Sequence, residues 1–314
     1  MKQKINILLA DKINTDRLNR YFPRSKFKVD IAEGKKVLTN EEIISNYKDH
    51  DVLVIRSIRK INKDFIDRTN FKIIATCSRG SENIETEYAE KRGIVVLNTD
   101  KGNSVSTAEH TIGLMISFYK NFSLSDKLIR KNEFTNNDFQ RNELCGKTLG
   151  IIGFGNVGSY VGKLASFFGM NILANDISEK VINRNKKKHQ FVSLGKLLKS
   201  SDIITVHIPG IQKNENFINK KKISLLKKDS LFVNTSRGTV VNEDDLIEIL
   251  RAEKIRGAAL DVFKNEPFID ERFLKLKNVL LTNHIAGKTI ESALKMSVEI
   301  YQKVLKSLEK MQQI

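Results

Sequence analysis

The stretch Gly153-Phe154-Gly155-Asn156-Val157-Gly158 constrains this chain more than any other segment. It follows an apolar run, Thr148–Ile152, and opens a stretch of helical periodicity, Asn156–Phe168. Such a glycine pattern is weak alone and informative between a strand and a helix, where each glycine has a task. Gly153 permits the tight turn, Gly155 lets the backbone approach a pyrophosphate, and Gly158 lets helix and strand pack closely. The helix start adds N–H groups and the positive end of its dipole. Gly153, Gly155, Asn156, Val157 and Gly158 are therefore candidate dinucleotide contacts. Asp176 stands 18 residues beyond Gly158, at the end of the next predicted strand, Asn171–Asn175. A carboxylate there accepts hydrogen bonds from ribose hydroxyls and repels a 2′-phosphate, which favours NAD over NADP.

Strand and helix patterns alternate on both sides of the motif. Before it, strands are predicted at Ile5–Ala10, Phe27–Ile31, Asp51–Arg56, Phe71–Ala75 and Ile94–Leu97. Helices are predicted from Thr39, where Glu42 completes a capping box, and at Asn62–Arg68 and Glu85–Arg92, the last closed by Gly93. Beyond it, strands are predicted at Asp202–Ile208, Ser230–Asn234, Gly257–Val262 and Asn278–Thr282, with helices at Leu194–Ser200, Glu243–Arg251 and Thr289–Lys310. This βα alternation predicts parallel sheets covered by helices. With 314 residues, two domains are expected. Between the two series, Ser104–Tyr119 is apolar on several sides, as in a buried or interface helix, and Arg130–Gln140 reads as a connecting loop.

The net charge of +17 raises the question of nucleic acid. The pattern argues against it. Only 15 of the basic residues are arginines, the lysines are scattered apart from Lys186-Lys187-Lys188 and Lys220-Lys221-Lys222, and no recognition helix or stacking aromatics accompany them. Lysine on solvated faces accounts for the charge, with some steering of anionic substrates. The two cysteines, Cys77 and Cys145, form no CxxC pair, so no metal site or disulfide framework is expected. No apolar run approaches the ~20 residues of a membrane helix, and the N-terminus reads as a strand rather than a leader. A cytoplasmic protein without membrane contact is the expectation.

Three segments lie just past predicted strand ends: Asn234-Thr235-Ser236-Arg237-Gly238, Asp261-Val262-Phe263-Lys264-Asn265-Glu266-Pro267 and Asn283-His284. Open α/β sheets bind ligands along that edge, so Arg237, Glu266 and His284 are expected to converge there.

These segments, with Arg56-Ser57, Glu82-Asn83-Ile84-Glu85, Gly102-Asn103-Ser104, Ala108-Glu109-His110-Thr111 and the glycine motif, resemble the D-isomer-specific 2-hydroxyacid dehydrogenase family. The resemblance runs over nearly the whole chain and is strongest to the D-3-phosphoglycerate dehydrogenase branch, whose reaction feeds serine biosynthesis. It implies an α/β fold of two Rossmann-like doubly wound parallel-sheet domains, one inserted in the other. Residues 100–287 would bind NAD, and 1–99 with 288–314 would bind substrate. It implies that Arg237 binds the substrate carboxylate, His284 moves the proton, and Glu266 orients His284. A planar guanidinium, an imidazole and a carboxylate suit those roles. Thr235, Ser236 and Asp261 would contact the nicotinamide side, Ile208-Pro209 would line the cofactor cleft, and Arg56, Ser57, Gly80, Ser81 and Asn83 would hold the substrate. A homodimer built on Ser104–Tyr119 is also implied.

The chain departs from the family pattern at Cys77-Ser78-Arg79-Gly80. Ser78 replaces a glycine, and Arg79 stands where a small residue is common; Arg79 is expected to reach the cofactor pyrophosphate or an anionic substrate tail. Asp100 replaces a frequent proline. The sequence ends at Ile314, so no C-terminal regulatory domain is expected. The substrate expected first is 3-phosphoglycerate. The alternatives are hydroxypyruvate or glyoxylate reduction, or, in a different class, an NAD-sensing protein resembling corepressors of this fold.

Overall fold

The computed structural model describes residues 4–32, 37–134 and 141–311. The chain divides into two compact units, Met1–Asn103 with Lys288–Ile314, and Ser104–Gly287. Each is a doubly wound α/β unit with one parallel sheet.

The first unit contains β1 (Ile5–Leu9), β2 (Phe27–Ile31), β3 (Val52–Ile55), β4 (Ile73–Thr76) and β5 (Val95–Leu97), in the order β2-β1-β3-β4-β5. β1, β3 and β4 are almost wholly apolar because helices cover both faces of the sheet. The period of two is visible in the core: Ile7 and Leu9 join one buried cluster, Leu8 and Ala10 the other. The helix Asn40–Tyr47 starts at the expected capping box: Glu42 N–H donates to the Thr39 hydroxyl at 3.2 Å, and Thr39 N–H to the Glu42 carboxylate at 2.7 Å.

The final helix, Ile290–Lys310, belongs to this first unit. Ile300, Tyr301, Val304 and Leu308 recur at helical spacing and are buried on the sheet. Tyr301 meets Phe22 edge-on at 5.3 Å between centroids and donates its hydroxyl to the Asn14 carbonyl at 2.6 Å.

The second unit contains β6 (Thr148–Ile152), β7 (Asn171–Asn175), β8 (Gln190–Phe191), β9 (Ile203–Val206), β10 (Leu231–Asn234), β11 (Gly257–Leu260) and β12 (Val279–Leu281). Their order is β12-β11-β10-β9-β6-β7-β8, all parallel. The winding reverses between β6 and β9, which makes the C-terminal ends of those strands the switch point where such sheets take ligands. The long helix runs Ser104–Lys120 and packs on the helix Asn156–Phe167 and on β10 and β11. Most of its apolar surface is therefore used within the unit: Ala108, Ile112, Leu114, Met115 and Tyr119 are buried there.

Several elements were not predicted, including the helices Phe122–Ile129 and Glu179–Asn185 and the two-residue β8. Of the predicted loop Arg130–Gln140, residues 135–140 lie outside the described residues. No helix among the described residues is long and apolar enough to cross a membrane.

Replacing Tyr301 by Ala removes a fully buried ring and should cost about 3–5 kcal/mol. Chemical denaturation should show the loss in the first unit; an unchanged midpoint would mean that the last helix is not part of its core.

Candidate active site

The glycine turn follows β6. Gly153 has φ +87°, and a Cβ there would lie 2.8 Å from the His207 carbonyl oxygen and 2.9 Å from Ile208 Cγ2. That position requires glycine on both counts. A Cβ on Gly158 would sit 2.1 Å from the Gly153 carbonyl oxygen, so its absence lets the helix seat against the turn. Gly155 is the N-cap of the helix Asn156–Phe167 and has no side chain with which to cap its first N–H groups. Those donors are directed to where an anionic group would be held. Val157 is buried beneath the turn, while Gly155 and Asn156 are half-buried at its surface.

Asp176 directly follows β7. One carboxylate oxygen accepts the Phe154 N–H at 2.7 Å and the other the Ser178 N–H at 2.8 Å. The half-buried carboxylate is thus tied to the glycine turn itself, and its remaining lone pairs can accept from ribose hydroxyls. Ile208 is half-buried beside Gly153, and Pro209 is exposed next to it. The glycine cradle, the helix start and this carboxylate all fit a dinucleotide.

Arg237, Glu266 and His284 follow β10, β11 and β12, three adjacent strands. His284 Nδ1 lies 2.6 Å from Glu266 Oε2. A carboxylate accepts only, so Nδ1 carries the proton and Nε2 is the basic ring nitrogen. Glu266 Oε1 accepts the Phe263 N–H at 3.0 Å. Burial pushes the Glu266 carboxyl up, but its bonds to His284 and Phe263 and the nearby charge of Arg237 bring it below the ordinary carboxylate range. The Asn234 side chain braces the Arg237 loop: its Nδ2 donates to the Arg237 carbonyl at 3.0 Å, and its oxygen accepts from Ser236 N–H and hydroxyl at 3.0 and 2.8 Å. Gly210 makes room for Arg237, since a Cβ there would lie 2.7 Å from Arg237 Cγ.

Two residues expected at the cofactor have side chains hydrogen-bonded within the unit. The Asp261 side chain is fully buried. Its Oδ1 accepts the Thr282 hydroxyl at 2.6 Å and the Ile285 N–H at 2.9 Å, and its Oδ2 accepts the Ala286 N–H at 2.9 Å. Its carboxylate thus braces the loop that carries His284 and is enclosed by that loop. Burial raises the Asp261 carboxyl, yet these bonds and that of His110 leave it below its ordinary value. Thr235 is also buried; its hydroxyl lies 2.9 Å from the Thr111 hydroxyl, whose own proton goes to the Thr107 carbonyl. His110 on the long helix lies 3.2 Å from the Thr282 hydroxyl and 3.4 Å from Asp261 Oδ1, so it is a hydrogen-bonding residue of the interior.

His284 has φ +54°, an uncommon conformation for a residue with a side chain. It persists because its own N–H donates to the Asp261 carbonyl at 2.8 Å while the next two N–H groups reach the Asp261 carboxylate. Sequence reasoning missed this bracing, and also Glu243, whose carboxylate accepts the Lys264 N–H at 2.8 Å. Only the spacing of Asp261 from the strand end hinted at the first.

In the first unit, Arg56 and Ser57 begin the turn after β3, with Ser57 exposed. Arg79, Gly80 and Ser81 follow β4 and are half-buried. The Ser78 hydroxyl donates to the Gly80 carbonyl at 2.7 Å, and Asn98 to the Arg79 carbonyl at 2.8 Å. Asn83, expected to contact substrate, donates its amide N–H to the Arg59 carbonyl at 2.6 Å, tying one loop to the other.

The sequence model described as D-isomer specific 2-hydroxyacid dehydrogenase, NAD binding domain matches residues 112–286. The chain belongs to this family. Its cofactor is NAD, and the residues around the glycine turn are those of the family's NAD-binding domain. A D-3-phosphoglycerate dehydrogenase of Methanocaldococcus jannaschii is 37% identical over 290 residues, covering 92% of this chain and 54% of that protein. A hydroxypyruvate reductase of Thermotoga maritima is 36% identical over 275 residues, covering 86% of this chain and 89% of that protein. The chain thus spans about half the length of the phosphoglycerate dehydrogenases it matches. A D-lactate dehydrogenase of Aquifex aeolicus, crystallised with NAD and lactic acid, superposes with a TM-score of 0.79 at 27% identity, covering 98% of this chain and 97% of that one.

Asp261→Asn should destabilise the second unit by about 1–3 kcal/mol, because an amide nitrogen then faces loop N–H groups. The lowered carboxyl sets the sign with pH. Its stabilisation is complete above about pH 4 and is lost as pH falls through the depressed value. The gap between wild type and variant should therefore close in acid; a gap that widens below pH 4 would refute the assignment.

Proposed function

We propose that the protein interconverts a D-2-hydroxy acid and its 2-keto acid with NAD. The observation that carries this reading is the 2.6 Å bond between His284 Nδ1 and Glu266, held beside the charge of Arg237 at adjacent strand ends. Bound NAD would supply the acceptor or donor of hydride at C2 of the substrate. In oxidation, His284 Nε2 takes the proton of the substrate hydroxyl; in reduction it returns that proton to the carbonyl oxygen. The ionised Glu266 fixes the ring and stabilises the imidazolium formed when Nε2 is protonated. Arg237 holds the substrate carboxylate through its planar fork. Gly153, Gly155, Asn156 and Gly158 would hold the pyrophosphate, and Asp176 the adenosine ribose.

The substrate proposed first is 3-phosphoglycerate, and the reaction one of serine biosynthesis. The phosphoglycerate dehydrogenases among its relatives support this choice. So do two arginines, Arg56 and Arg79, in loops after neighbouring strands, which suit an acid with two anionic groups. The second reading is hydroxypyruvate or glyoxylate reduction, favoured by the near-full-length match to the Thermotoga maritima enzyme. The proposed setting is a reducing cytoplasm, consistent with two free cysteines, and the proposed assembly a homodimer. Exposed Phe122, Ile129 and Phe134, just beyond the long helix, are apolar surface in support of it.

Purified protein with NADH should consume phosphohydroxypyruvate, followed at the nicotinamide absorbance, more efficiently than hydroxypyruvate or glyoxylate. The reverse ranking would select the second reading, and no turnover of any of the three would favour an NAD-sensing protein. His284→Asn should lower kcat by about 10²–10⁴-fold while NADH affinity stays within a factor of two. Retained turnover would remove His284 as the acid–base group.

A further inference from the structure

The turn Arg56–Lys60 in the first unit rests on an ion pair that the proposed chemistry does not use. The Asp11 and Arg59 side chains are 0% and 5% exposed. Asp11 Oδ1 accepts from Arg59 Nη2 at 2.6 Å and from Nε at 3.2 Å, a two-pronged guanidinium contact. Asp11 Oδ2 accepts the backbone N–H of Arg56 at 2.7 Å. One carboxylate therefore holds both ends of the turn: its first residue through the backbone, and its fourth through the side chain. The other Arg59 donors are directed to Asn40 Oδ1, at 2.8 Å, and to the Leu38 carbonyl. The Asn40 amide returns to the Lys60 carbonyl at 2.9 Å, and Asn83 donates to the Arg59 carbonyl at 2.6 Å. Ile61 N–H then bonds the Asn83 carbonyl at 2.8 Å. The base of the turn is fixed on every side, while Ser57 and Ile58 at its apex are exposed.

A buried charge pair is a poor way to gain net stability, because desolvating two charges offsets most of their attraction. It is a good way to fix geometry, since the fork of Arg59 meets the carboxylate in one orientation. We propose that Asp11 and Arg59 are positioning residues that preset the Arg56–Ser57 turn to receive the carboxylate or the distal anion of the substrate. This rests on the proposed assignment of Arg56 and Ser57 to substrate binding. Misplacement of a binding group by about 1 Å can cost 10²-fold, so even partial loosening of the turn should be visible in KM.

The test uses the full chain, NADH and phosphohydroxypyruvate, which carries both a carboxylate and a distal anion, with KM, kcat and NADH affinity measured for Asp11→Asn, Arg59→Lys, Asn40→Ala and Arg56→Ala. Expected is a rise in KM of about tenfold or more for Asp11→Asn and Arg59→Lys, a smaller rise for Asn40→Ala, and NADH affinity and saturated kcat within about twofold. A purely structural pair would lower the melting temperature and leave the KM of the folded protein unchanged, which would overturn the proposal. Should Asp11→Asn fail to fold, Arg59→Lys and Asn40→Ala decide in the same way. Arg56→Ala separates the two levels. A raised KM there with unchanged KM in the Asp11 and Arg59 variants overturns this inference alone. An unchanged KM in Arg56→Ala overturns the substrate assignment beneath it.

Discussion

The buried carboxylate of Asp261 turns separate strand ends into one candidate site. β11 and β12 end side by side, but a shared edge does not aim an imidazole. The aim comes from three hydrogen bonds onto one carboxylate and a fourth onto the carbonyl of the same residue, all from Thr282–Ala286. Those bonds hold His284 at φ +54°, and from there its Nδ1 meets Glu266. The local backbone cost, of order 1–2 kcal/mol, is offset by these four bonds onto Asp261.

The cofactor half of the second unit works by removal of atoms rather than by added contacts. At Gly153 and Gly158 any side chain would collide with backbone, so the β6 turn and its helix close to a distance only glycine allows. With glycine as the N-cap, no capping side chain comes from that residue, and the helix start presents its positive dipole end where an anionic ligand is favoured. The seven-stranded order places this turn at the point where the winding reverses, so topology and local chemistry select the same spot.

Most of this scaffold was legible in the sequence. Strands such as Thr148–Ile152 and Asn171–Asn175 are bounded as their patterns predict, and the capping box at Thr39 forms with both of its bonds. The positions of Arg237, Glu266 and His284 just past strand ends were legible too, because a strand end is a local signal. What the sequence did not disclose is the direction of a side chain once the strand stops. Asp261, Thr235 and Asn83 were all read as ligand contacts. In the structure the side chain of each bonds a partner distant in the chain: the 282–286 loop, Thr111 and Arg59. No periodicity encodes those partners. The helices Phe122–Ile129 and Glu179–Asn185 and the two-residue β8 were not read from the sequence; neither helix buries a residue in its unit.

The same device recurs around both sheets. Asp11 follows β1 and accepts the N–H of Arg56 after neighbouring β3; Asp176 follows β7 and accepts the N–H of Phe154 after neighbouring β6; Asp261 follows β11 and accepts N–H groups after neighbouring β12. Parallel strands end with loops whose N–H groups lack ladder partners, and a short carboxylate one strand away can satisfy them without lengthening the loop. The opposite edge repeats the pattern: Asp51 accepts from Asn6 N–H and Asp202 from Thr148 N–H. There each carboxylate also binds a lysine, Lys72 or Lys227, at 2.8 Å. At the C-terminal edge the buried aspartates differ: Asp11 faces a buried arginine, and Asp261 faces hydroxyl and N–H donors with a histidine at 3.4 Å. Lysine pairs at the surface cost little to rearrange, whereas these enclosed networks do not move without leaving a buried charge unmet. Rigidity is thereby concentrated at the edge that carries the candidate chemistry, where small displacements of a reacting group matter most.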